Sequence, residues 1–308
     1  VSNHDPAVPP LFGSSSISRQ QIVQRILAHP LGEQAAEQRR NFARLMLGGV
    51  AEHGRARRRE LHWAGQDGSI VYFHGGGYAF GSPQTHARLG QALARRTGLQ
   101  VLLPAYPLAP EQRWPAQLDA ALDAVQTLAQ QPGAGPIVLA GDSAGGHLAL
   151  VTALELARRG QALAGLLLFS PNTDRSGLSD TRQRSQAEDP MVDEAGDRRL
   201  ARQCLGDLPD RHPQASPVLD DLTLLPPLYI EAGAGEVLLG DSLILAQRAR
   251  GAGRAVTLHV QPDGLHMGQL WAPWWPVAQA SLMRAQAFCR SVVALAASES
   301  PDSPAPLA

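Results

Sequence analysis

Five short apolar runs, at residues 101–103, 137–140, 166–169, 228–230 and 256–260, are separated mostly by stretches whose apolar residues recur at helical spacing. No other feature of this chain narrows its fold as much. A strand that is apolar along its whole length has to be covered on both faces, and helices alternating with such strands supply the cover. The helical stretches run over 84–97, 115–130, 144–159, 238–250 and 277–296, so the pattern predicts an α/β chain with a doubly wound, mostly parallel sheet. Upstream, Ile22, Ile26 and Leu27, then Phe42, Leu45 and Leu47, predict two further helices between residues 18 and 50. Residues 58–64 and 69–73 flank Gln66-Asp67-Gly68 and read as a hairpin with Asp-Gly at its turn. The stretch 174–225 is polar, arginine-rich and without a strand, and reads as a helical insertion. Residues 1–16 and the tail at 298–308 are rich in Pro and Ser and read as loose.

Composition removes several classes of function. With 308 residues, 44% hydrophobic and 18% charged, the chain has material for one large core. A net charge of −1 argues against a nucleic-acid protein, which would carry a basic face. All 27 basic residues are arginine. The two cysteines, Cys204 and Cys289, make neither a disulfide framework nor a zinc site. No run reaches the ~18 apolar residues that would span a bilayer. The first residues, Val1 to Pro6, lack the basic and apolar segments of a secretory signal, so a cytoplasmic location is expected.

Gly141-Asp142-Ser143-Ala144-Gly145, extended by Gly146, lies between the run at 137–140 and the following helix. A sharp strand-to-helix turn crowds the neighbours of its central residue, hence the glycines, and lifts the Ser143 hydroxyl clear of the sheet. His74-Gly75-Gly76-Gly77 directly follows the strand at 69–73. Glycines there let backbone N–H groups approach a substrate, as stabilisation of an oxyanion requires. A phosphate loop would end in Gly-Lys-Ser/Thr, and this chain has no lysine. His74 reads as a loop anchor.

A serine nucleophile needs a base, and the base needs an orienting carboxylate. In this strand order the base belongs on the loop after the last strand, where His266 stands. His259 lies within that strand, His147 on the helix after Ser143 and pointing away from the pocket, and His86 and His212 read as solvated. The carboxylate is expected after the run at 228–230. Glu236 lies at the far end of that loop, Asp241 at the start of the next helix, and Asp263 close enough to His266 to shape its loop. Glu236 is the favoured acid and Asp241 its alternative.

With these pieces in order, the chain resembles the hormone-sensitive-lipase-like family of α/β-hydrolases, mostly bacterial esterases with a GDSAGG elbow. The resemblance runs from the N-terminal helices to about Arg290. It rests on His74-Gly75-Gly76-Gly77-Tyr78, Gly141-Asp142-Ser143-Ala144-Gly145-Gly146, Gly235-Glu236-Val237-Leu238-Leu239-Gly240-Asp241-Ser242 and Leu265-His266-Met267. Ala105-Tyr106-Pro107-Leu108-Ala109-Pro110-Glu111, Asp189-Pro190-Met191 and Ser216-Pro217 ahead of Leu225-Pro226-Pro227-Leu228 support it. The resemblance implies an α/β-hydrolase fold with a helical cap. It further implies Ser143 as nucleophile, His266 as base, Glu236 as acid, and the backbone N–H groups of Gly76, Gly77 and Ala144 as the oxyanion hole. The family's most familiar pattern has aspartate where Glu236 stands, and some members resembling this chain carry glutamate.

The expectation is therefore a serine carboxylester hydrolase that takes short- to medium-chain acyl esters through an acyl-enzyme, with no cofactor and no metal. An N-acetyl amide or lactone hydrolase would use the same residues. A non-catalytic small-molecule receptor of this fold would have lost the histidine that stands here as His266. The expected organisation is a cap-forming segment at 1–53, a catalytic domain at 54–297 with its cap insertion at 174–225, and a disordered tail at 298–308. The expected partner is a small-molecule ester, with no nucleic acid and no membrane span, and an exposed edge at 256–260 leaves room for a homodimer. Trp271, Trp274 and Trp275 read as packing for the last helix, with a pocket or rim role as the alternative, and Arg55, Arg57, Arg58 and Arg59 as the solvated start of an edge strand.

Overall fold

A computed structural model describes residues 11–13, 16–48, 60–185 and 188–299. The arginines at 55–59, the last residues of the tail and the first ten residues lie outside the described part. Strands β1 (Leu61–Trp63), β2 (Ser69–Phe73), β3 (Gln100–Leu103), β4 (Ile137–Asp142), β5 (Gly165–Phe169), β6 (Leu228–Gly233) and β7 (Val256–Gln261) form one sheet in the order β1-β3-β2-β4-β5-β6-β7. All neighbours are parallel except β1 and β3.

The apolar runs are strands for the reason that their composition implies. Alternate residues of one strand enter two different cores. Ile70, Tyr72, Val138, Ala140, Leu167 and Phe169 pack with helices α3 (Ala87–Thr97) and α9 (Pro276–Ser298). Val71, Phe73, Leu139, Leu166 and Leu168 pack on the other face with α4 (Ala116–Ala129), α5 (Ala144–Arg158) and α8 (Leu239–Gly251). With both faces buried, β2, β4 and β5 confine charged and small polar residues to the strand ends, at Ser69 and Asp142, and the one phenol inside them, Tyr72, donates to Asp142.

The N-terminal helices are α1 (Arg19–Leu27), begun by a Ser18–Gln21 capping box, and α2 (Ala35–Leu47), ended by Gly48 in the left-handed region. The guanidinium of Arg39 fixes α2 to the body by donating to the carbonyls of Ala79 and Ala109, each at 2.8 Å. The insertion after β5 carries α6 (Thr181–Arg184) and α7 (Glu194–Leu205) and no strand among its described residues.

Three expectations need correction. β1 does not pair with β2. It lies antiparallel on the outer edge of β3, because β2 is an interior strand with both edges already taken by β3 and β4. His86 is fully buried rather than solvated, with Nε2 3.3 Å from Asp142. Leu11 and Phe12 are packed rather than loose, with Phe12 set edge-on to Trp274 at a centroid distance of 5.2 Å. Trp271, Trp274 and Trp275 are buried in the same core as α9 and are packing residues.

The insertion is tied to the body by one buried cation. Arg182, on α6, donates to Asp241 on α8 at 2.7 Å, to Asp197 on α7 at 2.8 Å, to Glu194 at 3.1 Å and to the Asn172 side chain at 2.8 Å. Burial opposes its charge, but the carboxylates of Asp241 and Asp197 outweigh that and hold it charged. Removing one partner of such a network strands buried charges, so Arg182→Met is expected to lower unfolding free energy by about 3–5 kcal/mol. Urea denaturation at neutral pH measures this, and a loss below about 0.5 kcal/mol, the scale of an ordinary surface change, would show the network to be redundant.

Candidate active site

Parallel α/β sheets gather their working residues at the carboxyl ends of the strands, where loops are free to converge. Ser143 follows β4, the Gly75–Gly77 loop follows the neighbouring β2, Glu236 follows β6 and His266 follows β7. Ser143 adopts φ 53° and ψ −121°, a conformation costing a residue with a side chain on the order of 1–3 kcal/mol. The turn closes so tightly that a Cβ on Gly145 would stand 2.1 Å from the carbonyl oxygen of Phe73 on β2. Only glycine lets α5 begin that close to the strand.

Glu236 is 2% exposed and each of its carboxylate oxygens has a defined partner. Oε1 accepts from the backbone N–H of Gly233 and from the hydroxyl of Ser170 at 2.9 Å. Oε2 lies 3.0 Å from Nδ1 of His266. The other ring nitrogen, Nε2, is buried without a hydrogen-bond partner, and His266 lines the same cavity as Ser143. Burial disfavours the imidazolium of His266, but the hydrogen bond and charge of Glu236, with Asp189 and Asp142 beyond it, outweigh burial and raise its pKa.

The structure does not bring Asp241 to His266. Its Oδ2 accepts the N–H groups of Thr173 and Asp174, both at 2.8 Å, and Arg182 occupies the rest of the carboxylate. His147 is buried behind the serine, with Nδ1 2.6 Å from the hydroxyl of Tyr78, and burial brings its pKa down to about 3. His259 stays within β7, bonded to Gln261, and His212 is exposed.

The glycine loop is held from behind by Asp142, the residue before the serine. Its Oδ1 accepts from the N–H of Gly75 at 3.1 Å and from the hydroxyl of Tyr72 at 2.8 Å. Burial would raise this carboxyl, yet His86 and Tyr72 hold it below its ordinary range. His74 stacks on Tyr106 at 4.2 Å between centroids, the anchoring position expected of it. Gly76 has φ 119°, a value that a side chain would not tolerate. A Cβ on Gly77 would stand 2.5 Å from Leu200 Cδ1, so α7 lies directly over the loop.

The cavity holding Ser143 and His266 measures about 330 Å³. Its lining includes Leu27 and Leu31 from the N-terminal segment, and Met191 and Leu200 from the insertion. Asp189, two residues before Met191, accepts the N–H of Val237 at 3.0 Å and so braces the loop that carries Glu236. Sequence reasoning missed Ser170, Asn172 and Arg182. The one available signal was for Ser170, a hydroxyl residue immediately after a fully buried strand that ends beside the elbow.

Among the described residues no His, Cys, Asp and Glu cluster could hold a metal ion, and no helix is long and apolar enough to cross a membrane. A serine and an imidazole on one cavity, with a buried carboxylate held against the far nitrogen of that imidazole, form an arrangement suited to acyl transfer.

Comparison with known proteins agrees. Residues 70–270 match the model of a family with the alpha/beta hydrolase fold. An acetyl-hydrolase of Streptomyces hygroscopicus is 38% identical over 231 residues, which cover 74% of this chain and 77% of that protein. An esterase of Acinetobacter venetianus is 34% identical over 227 residues, 72% of this chain and 75% of that one. The crystal structure of an esterase from the bacterial hormone-sensitive lipase family superposes with a TM-score of 0.81 at 29% identity, covering 89% of this chain and 98% of that one. A doubly wound sheet, helices on both faces and these relatives together mean that the chain belongs to the hormone-sensitive-lipase-like bacterial esterases of the α/β-hydrolase fold, and is a hydrolase of the carboxylesterase type.

Proposed function

We propose that the protein cleaves short- to medium-chain acyl esters by a serine mechanism, with Ser143 as nucleophile, His266 as base and Glu236 as the orienting acid. The observation that carries this reading is the state of the imidazole. Nδ1 is engaged by Glu236, while Nε2 is buried and unpartnered, and His266 lines the same cavity as Ser143. His266 Nε2 takes the Ser143 proton as Oγ attacks the ester carbonyl, and the N–H groups of Gly76, Gly77 and Ala144 receive the oxyanion. The C–O bond to the alcohol breaks, and the alcohol leaves with the proton from His266. Water, deprotonated by the same nitrogen, then attacks the acyl-enzyme, and the carboxylic acid departs from Ser143.

Residues 1–53 and the insertion at 174–225 serve as the cap of a catalytic domain spanning 54–297. In support, both segments contribute apolar side chains to the cavity. A volume near 330 Å³ is at the small end of ligand sites, which favours short acyl groups over long ones. The Streptomyces relative is itself called an acetyl-hydrolase, in keeping with a small acyl group.

The test is a panel of nitrophenyl esters from acetate to palmitate, run beside N-acetyl amides and lactones. The highest kcat/KM is expected among the short and medium esters, with palmitate the poorest. Faster turnover of an N-acetyl amide or a lactone would replace the ester reading with one of those, on the same three residues. A maximum at palmitate would contradict the chain-length assignment.

A further inference from the structure

Helix α7 has a cavity on each side. Gly196, Asp197 and Leu200 line the substrate cavity, whereas Glu194, Arg198, Ala201, Arg202 and Leu205 line a second one of about 220 Å³. The spacing of 194, 198, 201, 202 and 205 is that of a single helix face. Arg175 and Arg182 close the second cavity from the other side, so four arginines meet there against the carboxylates of Glu194 and Asp210.

Internal pairing uses these arginines unequally. Arg182 is saturated by Asp241, Asp197, Glu194 and Asn172. Glu194 is shared between Arg182 and Arg198. Arg175 gives Nη1 to Asp197 at 3.0 Å, but its side chain is only 8% exposed and its Nε is buried without a hydrogen-bond partner. A buried N–H donor left unpaired is uncommon, since it forgoes water and gains nothing in return. Arg202 makes no ion pair or side-chain hydrogen bond among the described residues and stands exposed on the cavity wall. Near Gly206, at the end of α7, Arg113 adds a further guanidinium, its Nη1 3.8 Å from where a Cβ of that glycine would be.

We propose that this second cavity is a binding site for a small, multiply charged oxyanion, a phosphate or a di- or tricarboxylate, held by Arg175 and Arg202. Guanidinium groups match such anions because planar N–H donors pair with two oxygens at once. The carboxylates of Glu194, Asp197 and Asp241 are taken up by Arg175, Arg182 and Arg198, which leaves Arg202 as the guanidinium without an ion pair among the described residues and Asp210 as the remaining carboxylate of the lining. The cavity is separate from the one that holds Ser143, and the proposal does not depend on the reaction assigned there.

Isothermal titration calorimetry on the full chain tests it, with inorganic phosphate in one arm, citrate in the other, and ionic strength held constant with sodium chloride. Saturable binding of either anion, one per chain, is expected in the wild type. Saturation by phosphate alone identifies a tetrahedral ligand, and by citrate alone a polycarboxylate. Arg202→Gln and Arg175→Gln each delete a charge-assisted hydrogen bond to the anion, and each is expected to weaken binding by about tenfold or more. Arg175 also supports Asp197, so circular dichroism checks that variant's fold, and the exposed Arg202→Gln decides the matter if Arg175→Gln does not fold. Absence of saturable binding by both anions, or an affinity that Arg202→Gln leaves within about twofold of the wild type, overturns the proposal.

Discussion

Ser143→Ala is expected to lower kcat by about a millionfold, the scale seen when the nucleophile of a serine triad is removed. The change deletes one oxygen and relieves rather than adds crowding at φ 53°, so folding is expected to survive. Nothing else in the cavity replaces that oxygen. Cys204 and Cys289 are buried away from the cavity, and burial pushes each thiol up to about 12, far from a reactive thiolate. A fluorophosphonate probe should label the wild type and leave Ser143→Ala unlabelled. Labelling that persists in the variant would sink the assignment. His266→Ala is expected to approach the same loss, whereas His259→Ala, in an edge strand, should leave turnover nearly intact.

Glu236→Gln is expected to reduce kcat by about 10⁴-fold with little change in KM, because an amide no longer holds the imidazole in the required tautomer or stabilises its charge. The pH profile separates this from a simple loss of fold. In the proposed mechanism His266 must be neutral to accept the serine proton, so activity is expected above its pKa and is lost as pH falls through it. Burial works against the charged ring, but Glu236 prevails and raises the pKa above its ordinary 6.5, placing the acid limb of kcat/KM above that pH in the wild type. With glutamine at 236 the burial remains and the carboxylate is gone. The residual activity should then persist to lower pH. Asp241→Asn should cost far less in kcat when folded protein is compared, because Asp241 serves Arg182 and two backbone N–H groups rather than His266. A larger kcat loss in Asp241→Asn than in Glu236→Gln, with the fold preserved, would transfer the role to Asp241.

What could be read from the chain, and what could not, follows from how far apart the interacting groups lie. β2, β4 and β5 announce themselves because both of their faces are buried, which leaves their interiors without a charged or small polar residue. The elbow is legible for a related reason, since the collision that excludes a side chain at Gly141 is with the backbone of Gly145 and Gly146, in the same pentapeptide and the residue after it. The pairing of β1 was misread because Asp67-Gly68 is a strong local turn signal, whereas the edge that β1 occupies is created by β3, nearly forty residues later. His86 looked solvated because a lone histidine carries no mark of burial. Its partner, Asp142, lies 56 positions away. Arg182 was invisible among 27 arginines, as the property that distinguishes it is the convergence of Asp241, Asp197 and Glu194.

The bond between Asp189 and Val237, and the clamp of Arg182 on Asp241, bear on how this enzyme could be re-engineered. An insertion between two strands looks like a cassette, to be exchanged for a relative's in order to change the choice of substrate. Here the cassette also braces the loop of Glu236 and neutralises the helix that follows it. A transplanted segment lacking counterparts of Asp189 and Arg182 would disturb Glu236, the proposed acid, as it reshaped the pocket, so specificity and turnover are expected to change together. Grafts that keep those two residues and vary only the cavity-facing Met191 and Leu200 are the ones that should separate them.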